Sequence, residues 1–402
     1  MNEGPLIVVG SGDRTLREYA LAAMSERAPL ALFAYRRPTW EKPYVTAHAS
    51  VDLESPEHLV SEAGKLSPRG MITYDERLVE STARAAQELG LPGPGARAVA
   101  LCKDKSAMRR ALAETGLSPV GFATADDLET ALVTAERIGY PVVLKPRALS
   151  GSIGVVRVDS PDALRRVFDA VLGARTGLSA VAHPGVLVEE FLDGPEYSVD
   201  AVTTGGETRV LVVAEKMIGF PPYFEETGHI VPARPAPGLD DAVALVKKAH
   251  AALGLDSMTT HTEVRLTSSG PRIVEINARL GGDLIPYLGR LALGVDAAGA
   301  AADVALGAAV PGTAAAEPTA GAAAVRLFYP KEDIRVRSVE LPPVPGLDRF
   351  AVLAKPGEVL RLPPRGFLSR LAVAVVTGAD HAECLERAAE AEQSLVVQGD
   401  PA

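Results

Sequence analysis

Cysteine is scarce in this chain, and uninterrupted runs of Lys and Arg and long apolar runs are missing from it. Cys102 and Cys384 are its two cysteines among 402 residues, which excludes a disulfide scaffold and a four-thiolate zinc site and favours a reducing compartment. Basic side chains number 41 against 51 acidic ones, giving a formal net charge of −10, and no Lys/Arg run indicates a nucleic-acid surface. We therefore expect a cytoplasmic protein that does not bind nucleic acid.

No segment predicts a leader or a membrane span. The N-terminal sequence MNEGPLIVVGSG lacks a basic stretch followed by a long apolar one. Residues 291–325 are rich in alanine, but acidic residues such as Asp296 and Asp303 interrupt every window of about 20 residues. We expect a packing helix of small residues up to about Leu306, then a loop.

Hydrophobic residues make up 47% and charged residues 23% of the chain, which is typical of soluble globular proteins. At roughly 150 residues per domain, the length predicts two or three domains. In the first section, short apolar runs at 6–9, 31–34 and 70–73 alternate with helical patterns. This alternation predicts a parallel sheet with helices on its faces. Gly10-Ser11-Gly12 lacks the third glycine of a dinucleotide fingerprint, so a tight turn is favoured there.

The rest of the chain changes character three times. A basic helix is expected over about 100–114, followed by a compact unit of two helices and two strands at 125–138, 141–145, 154–158 and 161–171. A third section is predicted to contain strands at 186–190, 197–203 and 210–215, a helix at 239–253, and a hairpin at 260–266 and 272–278. The tail after about residue 324 alternates weakly and predicts a small β-rich unit closed by a helix at 381–393.

The hairpin carries the clearest chemical signal. Pairing about Ser269 places Glu263 opposite Glu275 and His261 opposite Asn277. Directly opposed side chains lie about 4.5–5.5 Å apart, where two carboxylates repel each other without a cation. Oxygen ligands favour Mg²⁺ or Mn²⁺. The alternative is a solvated strand face whose charges point outward.

A lysine and a glycine-rich loop form a second signal. Lys145 ends an apolar strand, and a buried lysine requires an anionic partner. Ser150-Gly151-Ser152-Ile153-Gly154 follows, and glycines at this spacing let backbone N–H groups converge on an anion. The loop leads into a strand rather than a helix, so it is not a P-loop. It predicts a lid over phosphates, or else a plain turn beside a snorkelling lysine.

Taken in order, these elements resemble the ATP-grasp superfamily. The resemblance covers about residues 1–310 and rests on the ordered set rather than on any one element. It consists of Lys105, Lys145, the Ser/Gly loop, Glu189-Glu190-Phe191-Leu192 with Gly194-Pro195-Glu196, Glu263, and Glu275-Ile276-Asn277-Ala278-Arg279. The segments 220–229 and 277–283, with the tail, are similar to the carboxylate–amine ligase branch that contains the dipeptide-forming L-amino acid ligases.

The resemblance implies a role for each of these positions. Lys105 and Lys145 would hold the ATP phosphates, covered by the loop residues Ser150, Gly151, Ser152 and Gly154. Glu189 would meet the adenine amino group, and the backbone of Phe191 and Leu192 would complete the adenine contacts. Glu196 would bind the ribose hydroxyls. Glu263, Glu275 and Asn277 would hold two Mg²⁺ ions, with Mn²⁺ as a substitute.

The resemblance also implies a substrate site. Arg279 would stabilise the reaction intermediate, and Glu226 and His229 would line the substrate pocket. Gly282 and Asp283 would contact substrate as well. Relatives in this branch carry a bulky side chain at the position of Asp283, so a carboxylate there predicts recognition of a cationic or amino group.

The fold class expected from the resemblance is α/β with an α+β lid. We expect an N-terminal Rossmann-like domain (1–98), a linker helix and lid (99–187), a large antiparallel subdomain (188–325) and a C-terminal extension (326–402). The expected activity is ATP-dependent ligation of a carboxylate and an amine, with an amino acid as one substrate, in natural-product biosynthesis. It passes through an acyl phosphate and releases ADP and phosphate.

Two alternatives stay open at this point. One is another ATP-grasp reaction, such as that of a purine-type ligase or a bicarbonate-using carboxylase. The other is a catalytically silent nucleotide-binding module. No membrane or nucleic-acid partner is expected, and a homodimer is the one assembly that we consider.

Overall fold

The computed structural model describes residues 4–174, 185–309, 313 and 317–402. Its first section is a four-stranded parallel sheet in the order β3-β2-β1-β4, with helices on both faces. The section consists of β1 (Leu6–Val9), α1 (Arg14–Ser25), β2 (Leu30–Ala34), β3 (Ala47–Ser50), α2 (Pro56–Ala63), β4 (Gly70–Ile72), α3 (Val79–Glu88) and α4 (Ala96–Lys103). Every residue of β1 and β2 is buried. The predicted parallel sheet is confirmed.

The basic helix expected over about 100–114 is in fact two helices. α4 ends at Lys103, and α5 (Lys105–Thr115) begins two residues later. Asp104 between them is extended and accepts a hydrogen bond from the Ser106 N–H at 3.0 Å, which caps α5 and breaks the helical path. The break places Lys105 in the first turn of α5, and its backbone N–H donates to the Arg147 carbonyl at 3.1 Å.

A four-stranded antiparallel sheet in the order β5-β8-β6-β7 forms the next unit. It consists of β5 (Phe122–Ala125), α6 (Leu128–Ile138), β6 (Val142–Pro146), β7 (Val156–Val158), α7 (Pro161–Leu172) and β8 (Val186–Glu190). The loop 150–154 connects β6 to β7, so the predicted lysine-bearing hairpin is confirmed. The helix expected from Ala125 starts later, because Asp127 caps it by accepting from Thr130 N–H at 2.8 Å.

The third unit is an eight-stranded antiparallel sheet in the order β13-β12-β9-β10-β11-β14-β18-β16. Its first part contains β9 (Glu196–Thr204), β10 (Glu207–Gly219), β11 (Glu225–Val231), α8 (Leu239–Leu253), β12 (Met258–Thr267), β13 (Gly270–Asn277), α9 (Ile285–Leu293) and α10 (Ala297–Ala305). Helix α10 is the predicted small-residue helix. Buried alanine or glycine residues occupy seven of its nine positions, 297–302 and 305. No helix in the described part of the chain is long and apolar enough to cross a membrane.

The C-terminal section continues this large sheet. It consists of β14 (Ala322–Phe328), β15 (Ile334–Glu340), β16 (Leu347–Val352), β17 (Val359–Leu360), β18 (Ala372–Gly378), α11 (His381–Ser394) and β19 (Val396–Pro401). Strand β14 pairs with β11 on one side and β18 on the other, while β17, β15 and β19 form a separate small sheet. The boundary expected between residues 325 and 326 falls inside β14, and the domain division stays a prediction.

Candidate active site

The hairpin β12–β13 has the predicted register at its chemical end. Glu263 lies opposite Glu275, and His261 lies opposite Asn277. The Glu263 and Glu275 side chains are only 16% and 13% exposed. Both line two adjoining cavities, together with Ser150 and Gly151 of the glycine loop. The two carboxylates therefore meet beneath the loop instead of facing bulk solvent.

The symmetric strand pairing expected about Ser269 is wrong between Glu263 and the turn. The register shifts after Glu263, so that Val264 pairs with Ile273 and Val274 becomes the extra residue of a bulge. Ile273 and Ile276 are consequently both in the core, whereas Val274 lines a cavity. A bulge lets successive side chains point to unexpected sides of a strand. At this bulge the carbonyls of Ile273 and Val274 accept from the Arg109 guanidinium at 2.7 and 3.0 Å.

The first cavity collects most of the residues that the sequence assigns to ATP. It lies between the lid sheet and the large sheet. Its lining includes Lys105, Lys145, Ser150, Gly151, Ser152, Glu189, Phe191, Leu192 and Glu196. Gly154 is not part of this lining. It ends the loop at φ +73°, where a Cβ would lie 3.0 Å from both Pro146 and Ala174.

Buried ion pairs organise the first cavity. The Lys145 ammonium lies 2.6 Å from one Glu189 oxygen, and the Arg109 Nε lies 2.9 Å from the other. Burial raises the pKa of Glu189, but the Arg109 and Lys145 charges outweigh burial and hold this pKa at about 2. Arg109 has no exposed surface, and the sequence reading missed it. The Lys105 ammonium lies 2.9 Å from Glu275 and donates to the Leu149 carbonyl at 2.6 Å.

A second cation that the sequence reading missed joins the two cavities. The Lys216 ammonium, on β10, lies 2.7 Å from Glu196, 2.9 Å from Glu226 and 3.2 Å from Glu263. Burial alone would lower the pKa of Lys216, yet the three carboxylates raise it well above its usual value. The same sequence feature that marks Lys145, a lysine within an apolar strand, also marks Lys216.

The second cavity collects the residues assigned to substrate. It lies where the N-terminal sheet, the large sheet and the C-terminal section meet. Its lining includes Arg17, Tyr74, Glu76, Glu226, His229, Glu263, Glu275, Asn277, Arg279, Gly282, Asp283 and Arg370. The Arg279 guanidinium is held by Glu76, with Nε 2.8 Å from the carboxylate.

His229 is a buried imidazole between two carboxylates. Its Nε2 lies 3.5 Å from Glu226 and 3.8 Å from Asp283, and neither ring nitrogen has a hydrogen-bond partner among the described residues. Burial lowers the pKa of His229, but these two carboxylates raise it more, so the net shift is upward. Glu226 and Asp283 therefore stabilise the protonated form of this imidazole.

Asp283 is already neutralised, contrary to the expectation that it offers a carboxylate to a cationic substrate. Both of its oxygens accept from the Arg370 guanidinium, at 2.6 and 2.8 Å. Arg370 belongs to the C-terminal section, which the sequence presents as a peripheral unit. The section thus supplies part of the wall of the second cavity.

The donor set at the junction of the cavities suits a magnesium ion. Glu263, Glu275 and Asn277 offer oxygen atoms on neighbouring strands, which is the ligand type that Mg²⁺ prefers. The ammonium groups of Lys216 and Lys105 lie 3.2 Å from Glu263 and 2.9 Å from Glu275. Glu226, His229 and Asp283 also lie within 4.8 Å of one another, but Arg370 already holds both oxygens of Asp283, and the Lys216 ammonium lies 2.9 Å from one oxygen of Glu226.

Comparison with known proteins identifies the family. Residues 138–287 match the model of an ATP-grasp domain. A D-alanine–D-alanine ligase from Desulforudis audaxviator is 32% identical over 226 residues, which cover 53% of this chain and 69% of the relative. This chain belongs to the ATP-grasp superfamily. ATP-grasp ligases use ATP and Mg²⁺. The fold class expected from the sequence, α/β with an ATP-grasp fold, is confirmed.

Two further matches agree with the ligase branch. The alanine–anticapsin ligase of Bacillus subtilis is 28% identical over 331 residues, covering 75% of this chain and 67% of the relative. The L-amino acid ligase structure from Bacillus licheniformis superposes over 100% of both chains with a TM-score of 0.79 at 22% identity. The structural match confirms the expected fold, and the ligase name of the B. subtilis relative agrees with the expected ATP-grasp ligase that forms carbon–nitrogen bonds. The chain spans about half to two thirds of the length of several curated relatives, so its activity and its substrates are proposals.

Proposed function

We propose that this ATP-grasp ligase joins the carboxylate of one amino acid to the amino group of another. The observation that carries the proposal is that Glu263 and Glu275 line both cavities beneath the same glycine loop. A triphosphate in the first cavity would have its γ-phosphate at this junction. A carboxylate in the second cavity would reach the same point, as phosphoryl transfer requires.

The first cavity supports the proposed ATP contacts. Lys105 and Lys145 would neutralise phosphate oxygens, and the N–H groups of the loop 150–154 would cover them. Glu196, oriented by Arg265 at 2.8 Å and Lys216 at 2.7 Å, would accept from the ribose hydroxyls. The backbone of Phe191 and Leu192 would contact adenine. Glu189 would accept from the adenine amino group through the lone pairs that Arg109 and Lys145 leave free.

Glu263, Glu275 and Asn277 would hold two Mg²⁺ ions, for which Mn²⁺ would substitute. When bound, these ions neutralise the phosphate charge that otherwise repels an incoming carboxylate. Lys216 and Lys105 place ammonium groups beside Glu263 and Glu275, and His261 supports Glu263 from the side. The His261 Nε2 lies 3.6 Å from Glu263, while its Nδ1 lies 2.6 Å from Asp200, which fixes the ring.

The proposed reaction has two steps. A carboxylate oxygen of the donor amino acid attacks the γ-phosphorus, and ADP leaves, giving an acyl phosphate. The free amine of the second substrate then attacks the acyl carbon. The C–O bond to phosphate breaks, and the amine proton leaves with the phosphate. Arg279 would donate to the carbonyl oxygen as negative charge develops on it, which stabilises the tetrahedral intermediate.

Glu226 and His229 would position the donor amino acid. The sequence left two roles for His229, orienting a carboxylate or accepting a proton from an ammonium group. Glu226 and Asp283 raise the pKa of His229 and so stabilise its protonated form, which favours the first role, donation to a carboxylate. The Glu226 oxygen that faces His229 would accept from the donor's ammonium group.

A product-resolved assay tests the proposal. The protein is incubated with ATP, Mg²⁺ and pairs of amino acids, and products are identified by mass spectrometry alongside ADP release. Dipeptide formation matched by ADP supports the proposal. Product formation only with bicarbonate would indicate a carboxylase, and nucleotide binding without turnover would indicate a silent module. A homodimer and a cytoplasmic location stay predictions.

A further inference from the structure

Arg17 differs from the other arginines of the second cavity. It lies on α1, in the N-terminal domain, and lines the cavity beside Tyr74. The other two arginines of the lining each carry a carboxylate partner, Glu76 for Arg279 and Asp283 for Arg370. Among the described residues, no carboxylate lies within ion-pair distance of Arg17. Asp75 also lines the cavity, but its carboxylate is paired with Arg77 at 2.6 Å, so the Arg17 guanidinium faces the cavity without an ion-pair partner.

The position of Arg17 is held by its surroundings. Its guanidinium carbon lies 5.0 Å from the centre of the Tyr74 ring, in a cation–π contact, and one Nη donates to the Gly281 carbonyl at 3.4 Å. Tyr74 is itself fixed, because it is 1% exposed and its hydroxyl donates to the Ser11 carbonyl at 2.9 Å. These contacts leave most of the guanidinium N–H donors free for a ligand.

Gly12 supplies the space for the arginine. It has φ +68°, and a Cβ at this position would lie 3.0 Å from the Arg17 Cγ. A side chain there would be strained and would crowd the stem of Arg17. The Gly10-Ser11-Gly12 turn thus serves the second cavity, although its sequence suggested half of a dinucleotide fingerprint.

We propose that Arg17 binds the carboxylate of the amine substrate, so that the second substrate is an amino acid and not a simple amine. This inference rests on the proposed ligase function. The proposed reaction centre, with Glu263, Glu275 and Arg279, lies in the same cavity as Glu226, which would take the donor's ammonium group. A dipeptide lying across the centre has an ammonium at one end and a carboxylate at the other. Among the three arginines of the lining, Arg17 is the one without an ion-pair partner, and it matches the carboxylate end.

The test compares amino acids with their amides as nucleophiles. Wild type is assayed with amino acid pairs that yield dipeptide, and then with each nucleophile replaced by its amide, which lacks the carboxylate. We expect wild type to prefer the acid by about tenfold or more in kcat/KM, mainly through KM. The R17A variant should lose this preference by losing activity on the acid, while the KM for ATP and for the donor stays unchanged.

Two further variants sharpen the comparison. R17K keeps the charge but lacks the fork, so it should retain only part of the preference. R14A is the matched control, because Arg14 lies one turn earlier on α1 with a 63% exposed side chain paired to Glu18. It should behave as wild type. Circular dichroism and thermal unfolding of each variant separate a binding defect from misfolding.

The outcomes distinguish the two proposals. Dipeptide formation with equal use of acids and amides by wild type, or an acid preference that survives in R17A, would overturn the role of Arg17 alone. Absence of an amide product with every pair would overturn the proposed function and this inference with it.

Discussion

Arg370 donates to both carboxylate oxygens of Asp283, at 2.6 and 2.8 Å, although 87 residues separate them in the chain. The contact continues into the C-terminal section, because Arg370 Nε donates to the Tyr329 hydroxyl, which donates to Glu225. Burial raises the pKa of Asp283, but the Arg370 guanidinium outweighs burial and holds this pKa well below its usual value. The ion pair thus joins the C-terminal section to the wall of the second cavity.

Breaking this pair should destabilise the fold. The R370M variant leaves Asp283 as a buried carboxylate without its partner, which typically costs about 3–5 kcal/mol in the free energy of unfolding. The double variant R370M/D283L removes both charges and should recover part of that loss. Urea denaturation measures both values. The control is R84A, which breaks an exposed pair with Glu80 and should cost about 0–1 kcal/mol. A loss in R370M no larger than in R84A would contradict the structural role.

The Lys216 ammonium should supply, beside Glu263, positive charge that a bound metal ion would otherwise supply. The K216M variant leaves Glu196, Glu226 and Glu263 without their shared ammonium group, so the thermal unfolding midpoint should fall. Added Mg²⁺ should raise this midpoint more in the variant than in wild type, since a divalent ion supplies positive charge at Glu263. Thermal unfolding with and without MgCl₂ checks the difference. The exposed Lys247 provides the control variant K247M, in which Mg²⁺ should have the same effect as in wild type. An equal Mg²⁺ effect in all three proteins would count against this reading.

Arg279 should matter for turnover more than for nucleotide binding. Loss of a donor aimed at developing charge typically lowers kcat by about 10²–10³. We expect a loss of this size in R279A, with the Kd for Mg-ATP nearly unchanged, because Arg279 lines the second cavity and not the first. Calorimetry and steady-state kinetics separate these effects. R290A, at an exposed position on α9, is the control. Full turnover in R279A would refute the assignment.

His250 should make stability depend on pH. Burial lowers the pKa of this histidine from 6.5 to about 4, and Thr262 lies 3.1 Å from its Nε2. Between these two pH values the unfolded chain takes up a proton that the folded chain does not, so stability falls as pH decreases. The full contribution is about 3 kcal/mol.

The H250Q variant should lose less stability than wild type between pH 6.5 and pH 4. Glutamine keeps a hydrogen-bonding group for Thr262 but does not titrate. Urea denaturation at several pH values measures the difference, and H48Q, at an exposed position, should follow wild type. Parallel pH profiles for wild type and H250Q would show that His250 does not contribute.

The sequence predicts the elements whose signal is local. Alternation of apolar residues is enough for the parallel sheet, the lid hairpin and helix α11, and hairpin symmetry is enough to place Glu263 opposite Glu275. The bulge at Val274 is not predictable in this way, because Arg109, whose guanidinium donates to the carbonyls of Ile273 and Val274, lies 164 positions from Ile273 in the chain. The break between α4 and α5 does have a local cause, the capping side chain of Asp104.

The cationic side chains of the site are harder to predict from the sequence than its carboxylates. Arg109, Lys216 and Arg370 are paired with carboxylates that lie 10 to 87 positions away in the chain, so no spacing rule connects them. A contact of Arg370 with the site is also hard to predict because the C-terminal section is rich in proline, and its sequence predicts a separate unit. Its strands instead extend the large sheet and bring it to the second cavity.

Transfer of oxygen from the carboxylate substrate to phosphate tests the central claim most directly. The donor amino acid is labelled with ¹⁸O in its carboxylate, and the products formed with ATP, Mg²⁺ and a second amino acid are analysed by mass spectrometry. An acyl phosphate intermediate predicts one ¹⁸O atom in inorganic phosphate for each peptide bond formed. Unlabelled phosphate, or label recovered in AMP, would contradict it.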